Sequence, residues 1–237
     1  MKPRRRSGSV VLLSGGMDSS TVLAQAIRER PPVHALTIIY GQRHAREVAA
    51  ARAVARHFHV DSHRIVELPI GSLLPSALTD RRVPIPTSRN RPGTGRIPST
   101  YVPARNTIFL SIALGYAEGH RLDRIWIGAN AIDYSGYPDC RPEYFRAFER
   151  LARVATRVGV EGGARIRVEA PLLHRSKVEI VRRGERLGVP WALTWSCYRG
   201  GRRPCGRCDS CRLRAQGFRG AGIRDPVARE PMRSRGR

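Results

Sequence analysis

The sequence predicts an α/β protein built on a doubly wound, mostly parallel sheet, with a small cysteine-rich segment near the C-terminal end. Three observations carry this reading. Short apolar runs alternate with helix-period segments along most of the 237 residues, the βαβα order that places helices on both faces of a parallel sheet. The first apolar run is followed at once by a glycine loop that opens a helix, and sheets of this kind take ligands beyond the carboxyl ends of their strands. Past Val189 the alternation gives way to a cysteine cluster.

The elements follow in order. Ser9–Leu13 is a short apolar strand, Ser14–Ser19 a glycine-containing turn, and Ser19–Arg30 a helix. Val33–Tyr40 is a second buried strand. His44–Phe58 is an alanine-rich helix with Val48, Ala51, Ala55 and Phe58 on one face, and Ser62–Leu68 is a third strand. Pro69–Arg105, rich in Pro, Ser, Thr and Gly, is too long for an ordinary connection and reads as a lid or a disordered loop. Helix resumes over Asn106–Glu118, followed by strand Arg124–Gly128, helix Pro142–Val158, strand Arg165–Ala170 and helix Ser176–Leu187. The chain divides into a basic extension (1–8), an α/β domain (9–190), a cysteine segment (191–218) and an arginine-rich tail (219–237) expected to be disordered. The chemistry is expected just after Leu13, Tyr40 and Gly128.

Composition narrows the class. With 41% hydrophobic and 26% charged residues the chain reads as soluble and globular. No apolar run approaches the ~20 residues of a membrane span, and Val10–Leu13 is too short for a signal peptide, so a cytoplasmic protein is expected. The formal net charge of +24 invites a nucleic-acid reading. Yet of 43 basic residues only Lys2 and Lys177 are lysines, and the arginines are scattered, as a coding bias would scatter them. Nucleic-acid binding stays open from charge but is not expected as the function. Lys177 stands out as the one internal lysine, a compact point charge suited to phosphate.

The segment Leu13, Ser14, Gly15, Gly16, Met17, Asp18, Ser19, Ser20, Thr21, Val22 and Leu23 has the makings of a phosphate site. Its glycines turn the backbone so that N–H groups face an anion, its hydroxyls add donors, and the helix start adds partial positive charge. The spacing is neither a Walker loop nor a dinucleotide loop. Asp18 suits a helix cap or a Mg²⁺ ion better than a bare phosphate.

Cys197, Cys205, Cys208 and Cys211 form C-x₇-C-x₂-C-x₂-C, which argues for metal over disulfides. Four thiolates close a tetrahedral shell, so the reading is one structural Zn²⁺ per chain, with an iron–sulfur cluster as the alternative. Cys140 has no local histidine to act as its base and reads as a pocket or packing residue.

The S-G-G-x-D-S loop resembles that of the N-type ATP pyrophosphatases. Together with Tyr40–His44, Ser99–Ala113, Gly128–Glu149, Pro171–Val181 and Thr194–Phe218 it is similar to the 7-cyano-7-deazaguanine synthase family. The resemblance implies conversion of 7-carboxy-7-deazaguanine to the nitrile with ammonia and Mg-ATP, through adenylated carboxylate and amide, and it implies a homodimer. It implies catalytic roles for Lys177, Asp18 and Arg105, and substrate contacts from Arg105, Asn106, Asp133, Tyr134, Tyr137 and Asp139. A relative that adenylates a deazapurine and conjugates it to a macromolecule is the competing enzyme reading. A zinc-knuckle nucleic-acid binder is the competing reading outside enzymes, and it leaves the ATP loop idle.

Overall fold

In the computed structural model, residues 7–43, 46–87, 97–131, 137–162 and 165–228 are described. Strand β1 (Ser9–Leu12) is the middle of a five-stranded sheet. On one side lie β2 (Val33–Ile39) and β3 (Ser62–Glu67), on the other β4 (Arg124–Ile127) and β5 (Arg167–Glu169), and every pairing is parallel. The register sets Leu12 between Leu36 and Ile127. All four residues of β1 are buried, as a strand covered on both faces must be.

The helices are α1 (Met17–Glu29), α2 (Arg46–His57), α3 (Arg105–Gly119), α4 (Pro142–Ala155), α5 (Arg157–Val160), α6 (Lys177–Arg186) and α7 (Asp209–Ala221). The two-residue period of β1 divides the core between the faces of the sheet. Val11 packs with Val22 and Leu23 of α1, Val54 of α2 and Ile180 of α6. Val10 and Leu12 pack with Leu110 and Leu114 of α3 and Phe145 and Phe148 of α4. Strand order therefore reverses between β1 and β4, with helices α1, α2 and α6 on one face and α3 and α4 on the other.

Three expectations are corrected. The helix read over Pro142–Val158 breaks at Thr156, whose backbone is extended. The Thr156 hydroxyl donates to the Ala152 carbonyl at 2.7 Å and accepts from Gly159 N, closing α4 and capping α5. The cysteine segment holds a full helix, α7, which crosses the boundary drawn at 218. The tail is not disordered from 219. The Asp225 carboxylate, its side chain 8% exposed, pairs with Arg214 at 2.8 Å, and Val227 packs on the cysteine cluster. The described parts of the long loop, 69–87 and 97–104, hold no helix or strand but are tied down. The Arg43 guanidinium donates to the carbonyls of Asp80 and Val83, and Leu78 and Val102 enter the core. Among the described residues no helix is long and apolar enough to cross a membrane.

Candidate active site

Four helices begin near the carboxyl end of the sheet, and a first-turn residue of each lines one cavity of about 240 Å³: Met17 of α1, Glu47 of α2, Arg105 of α3 and Lys177 of α6. The segments leaving β1, β2 and β4 supply much of the rest through Leu13, Tyr40 and Gly128. The cavity thus sits at the switch point, with helix N-termini from both faces turned on it, an arrangement that favours an anion. A larger groove of about 1110 Å³ lies between α2 and the cysteine segment, and no residue of the glycine loop lines it.

The loop is shaped by its own hydroxyls. Ser14 and Ser19 Oγ atoms lie 3.0 Å apart, Ser14 N donates to Ser19 Oγ at 3.1 Å, and Gly16 N donates to Ser14 Oγ at 3.3 Å. Gly15 has φ +79°, and a Cβ there would come within 2.5 Å of Ala51 N and 2.7 Å of the Glu47 carbonyl. Only glycine lets the loop lie flush on the first turns of α2. At Gly128 a Cβ would stand 2.8 Å from Ser19 N. Leu13, Ser14, Gly16, Met17, Asp18 and Ser19 line the cavity. Ser20, Thr21, Val22 and Leu23 do not: all are buried in α1, the Thr21 hydroxyl donates back to Met17 O, and Val22 and Leu23 face the sheet.

Lys177 Nζ is 2.6 Å from Asp18 Oδ2, and the lysine side chain is only 5% exposed. Asp18 Oδ1 is buried with no hydrogen-bond partner. The start of α6 is held by a capping box between Ser176 and Glu179. Asn130, just beyond β4, donates to the carbonyls of Leu172 and Arg175, fixing the chain that delivers Lys177.

Arg105 follows Ala104, whose left-handed backbone (φ 52°) is uncommon for a residue other than glycine. The Ala104 amide donates to Tyr101 Oη at 3.0 Å. Asn106 and Asp139 bond to each other: Asn106 N donates to Asp139 Oδ2 at 3.1 Å and Asn106 Nδ2 to the Asp139 carbonyl at 3.0 Å. Asp139 thus satisfies an orphan amide at the start of α3 and does not line the cavity. Tyr137 lines it, with its hydroxyl 2.7 Å from Thr100 Oγ1. Asp133 and Tyr134 lie outside the described residues. Cys140 also lines it, and burial, reinforced by the Asp139 carboxylate, pushes its thiol up to about 11.

Sequence reading missed Glu47. No motif marks it, and only the fold turns the start of α2 onto the loop. Protein surrounds its carboxyl although the residue is partly accessible, and burial pushes it up to about 7 against the pull of the Arg105 guanidinium.

The ligand atoms of Cys197, Cys205, Cys208 and Cys211 all lie within 4.8 Å of one another. A tetrahedral thiolate shell needs separations of about 3.8 Å, so the four fit a single metal ion. The cluster packs against Ala50 of α2 and against Trp195. Trp195 N in turn donates to the Gly15 carbonyl at 2.9 Å, joining the metal segment directly to the phosphate loop.

A parallel sheet with an S-G-G-x-D-S loop at its switch point and a lysine at the facing helix start defines the ATP-pyrophosphatase-loop class of α/β enzymes. The family model for the queuosine biosynthesis protein QueC matches residues 8–222, and the chain belongs to that family. It is 54% identical over 223 residues to the 7-cyano-7-deazaguanine synthase of Anaeromyxobacter dehalogenans, covering 92% of this chain and 94% of that one. It is also 54% identical over 229 residues to the synthase of that name from Methylococcus capsulatus, covering 96% and 98%. With that of Thermoplasma acidophilum it shares 52% over 225 residues, covering 95% and 93%.

Proposed function

We propose that this protein is a 7-cyano-7-deazaguanine synthase, a ligase that turns 7-carboxy-7-deazaguanine and ammonia into the nitrile at the expense of ATP. The observation that supports this most is the 54% identity, over nearly the whole chain, with synthases of that name, in a chain whose cavity joins a phosphate loop to Arg105.

Making a nitrile from a carboxylate removes both oxygens, and oxide does not leave at neutral pH. Adenylation makes AMP the leaving group instead. The loop from Ser14 to Ser19 and the start of α1 receive the β,γ-phosphates, and Lys177 neutralises the charge that grows on departing pyrophosphate. Arg105 pairs with the substrate carboxylate and directs one oxygen at the α-phosphate. Ammonia then displaces AMP to give the amide. Adenylation of the amide oxygen and loss of a second AMP give the nitrile. Tyr137 and Asn106 shape the wall against which the deazapurine lies, Asn106 through its bonds to Asp139. Asp133 and Tyr134 are further candidates for reading its guanine-like edge.

Mg²⁺ suits the site, since the unpartnered Asp18 Oδ1 is a hard oxygen ligand beside the phosphate loop. When bound, the ion screens phosphate charge. Zn²⁺ suits the four cysteines, and a closed thiolate shell assigns it a structural role.

The test is product analysis with 7-carboxy-7-deazaguanine, Mg-ATP and ammonium. Nitrile together with AMP is the expected result. AMP formation without nitrile turns the reading toward the conjugating relatives.

A further inference from the structure

The reaction proposed above consumes ammonia, yet at neutral pH the nitrogen source is almost entirely ammonium, which has no lone pair to attack with. A cavity built for ATP and a carboxylate is also hostile to a cation: Arg105 and Lys177, at the starts of α3 and α6, face it together with the N-termini of α1 and α2. Among the described residues that line it there is no histidine and there are two carboxylates, Asp18 and Glu47. Asp18 lies against Lys177 at 2.6 Å, at the phosphate end. Glu47 belongs to the opening turn of α2, and Gly15 holds the phosphate loop against its backbone. It also feels Arg105, the residue that receives the substrate carboxylate in the reading above.

We propose that Glu47 is the ammonium subsite and proton acceptor of this active site. Its carboxylate binds NH₄⁺ beside the acyl adenylate and takes one proton. The electron pair of that N–H bond stays on nitrogen and forms the new C–N bond. The C–O bond to AMP breaks, AMP leaves with its electron pair, and the released phosphate takes the second proton that the nitrogen sheds to become the neutral amide. The other titratable or charged groups sharing the cavity are Asp18, Lys177, Arg105, Tyr40, Tyr137, Cys140 and Tyr198, and Cys197 of the cysteine cluster acts on Glu47 from outside the lining. Asp18 and Lys177 are engaged with each other, and burial raises both Tyr40 and Cys140 above their ordinary values, so at neutral pH they hold their protons.

The inference rests on the synthase reading, and hydroxylamine separates the two. At pH 7.5 hydroxylamine is already neutral and captures an acyl adenylate as a hydroxamate with no prior deprotonation. Glu47→Gln is expected to lower ammonium-driven nitrile formation by about 100-fold or more, while its hydroxamate formation from 7-carboxy-7-deazaguanine and ATP stays at the wild-type rate. Glu47→Asp, which keeps the carboxylate, is expected to recover part of the ammonium reaction. Equal losses with both nucleophiles, or no loss with ammonium, overturn the assignment. Absence of hydroxamate with the wild-type enzyme overturns the synthase reading itself.

Discussion

Lys177 Nζ and Asp18 Oδ2 are 2.6 Å apart although 159 residues separate them in the chain. The contact joins the first turns of α1 and α6, so the phosphate loop and the one internal lysine are held as a single unit. Lys177→Ala is expected to reduce substrate-dependent AMP formation by about 100-fold or more, as loss of a charge aimed at the departing phosphate does. It should also destabilise the fold by about 1–3 kcal/mol, because Asp18 then keeps a largely buried carboxylate without its cation. Lys177→Arg should not restore activity, since a guanidinium fork does not fit where a slim ammonium is 5% exposed. Rate assays and urea unfolding on the two variants check both statements, and full activity of the arginine variant would remove the point-charge argument.

Metal removal is expected to be felt at the phosphate loop. The cysteines line no part of the cavity except through Cys140, which is not in the cluster. Trp195, however, packs on the cluster and donates its backbone N–H to Gly15 O. Losing that restraint on the loop costs about 1 kcal/mol. Chelation should therefore weaken binding of a non-hydrolysable ATP analogue by at least about fivefold, with a parallel change in tryptophan fluorescence. Unaltered affinity in metal-free protein that remains folded refutes the coupling.

Much of the fold was legible because a parallel sheet writes itself as apolar runs spaced by helices, and β1 with its loop carries both signals at once. The cysteine ligands were legible from spacing alone. Three things were not. Thr156 ends α4 through hydroxyl bonds that leave no mark on the periodicity. The helix α7 is arginine-rich and short of apolar residues, and its buried face includes Cys211 and Arg214, which no apolar pattern reveals. Glu47 looks like any first-turn acid of a surface helix until Gly15 brings the loop onto it. Asp139 shows the reverse. Its place in a motif suggested a substrate contact, while the structure has it holding the start of α3.

The buried pair Arg214–Asp225 ties the residues after α7 to the rest of the fold. Arg214 donates to both carboxylate oxygens of Asp225 at 2.8 Å, to Thr194 Oγ1 at 2.8 Å and to the Trp191 carbonyl at 3.2 Å. Removing the carboxylate leaves Arg214, a residue only 4% exposed, without its counter-charge. Asp225→Ala is therefore expected to cost about 3–5 kcal/mol, and a chain ended after Gly222 should lose a comparable amount. Denaturant unfolding of each, compared with a chain ended after Ala228, distinguishes this from a dispensable tail.

Cys140 is expected to be the least reactive thiol despite lining the cavity. Burial raises its pKa first, the Asp139 carboxylate adds to that, and the pull of Arg105 does not overcome them, which leaves it at about 11. Three units below that value only about one molecule in a thousand carries the reactive thiolate. At pH 8, iodoacetamide should therefore leave all five cysteines of the metal-loaded protein unmodified, the other four being held as ligands. Chelation should expose the four cluster thiols to alkylation, and only denaturant should expose Cys140. The sign of the linkage agrees. A thiol whose folded pKa lies above its unfolded value near 9 contributes stability that is complete below pH 9 and is lost as the pH rises toward 11. Cys140→Ala should remove that alkaline loss of stability while deleting a weak contact with Asn106 Nδ2 at 3.3 Å. Rapid alkylation of Cys140 in the metal-loaded enzyme would instead mark it as a thiolate held by Arg105, and would reopen a nucleophilic role for it in the cavity.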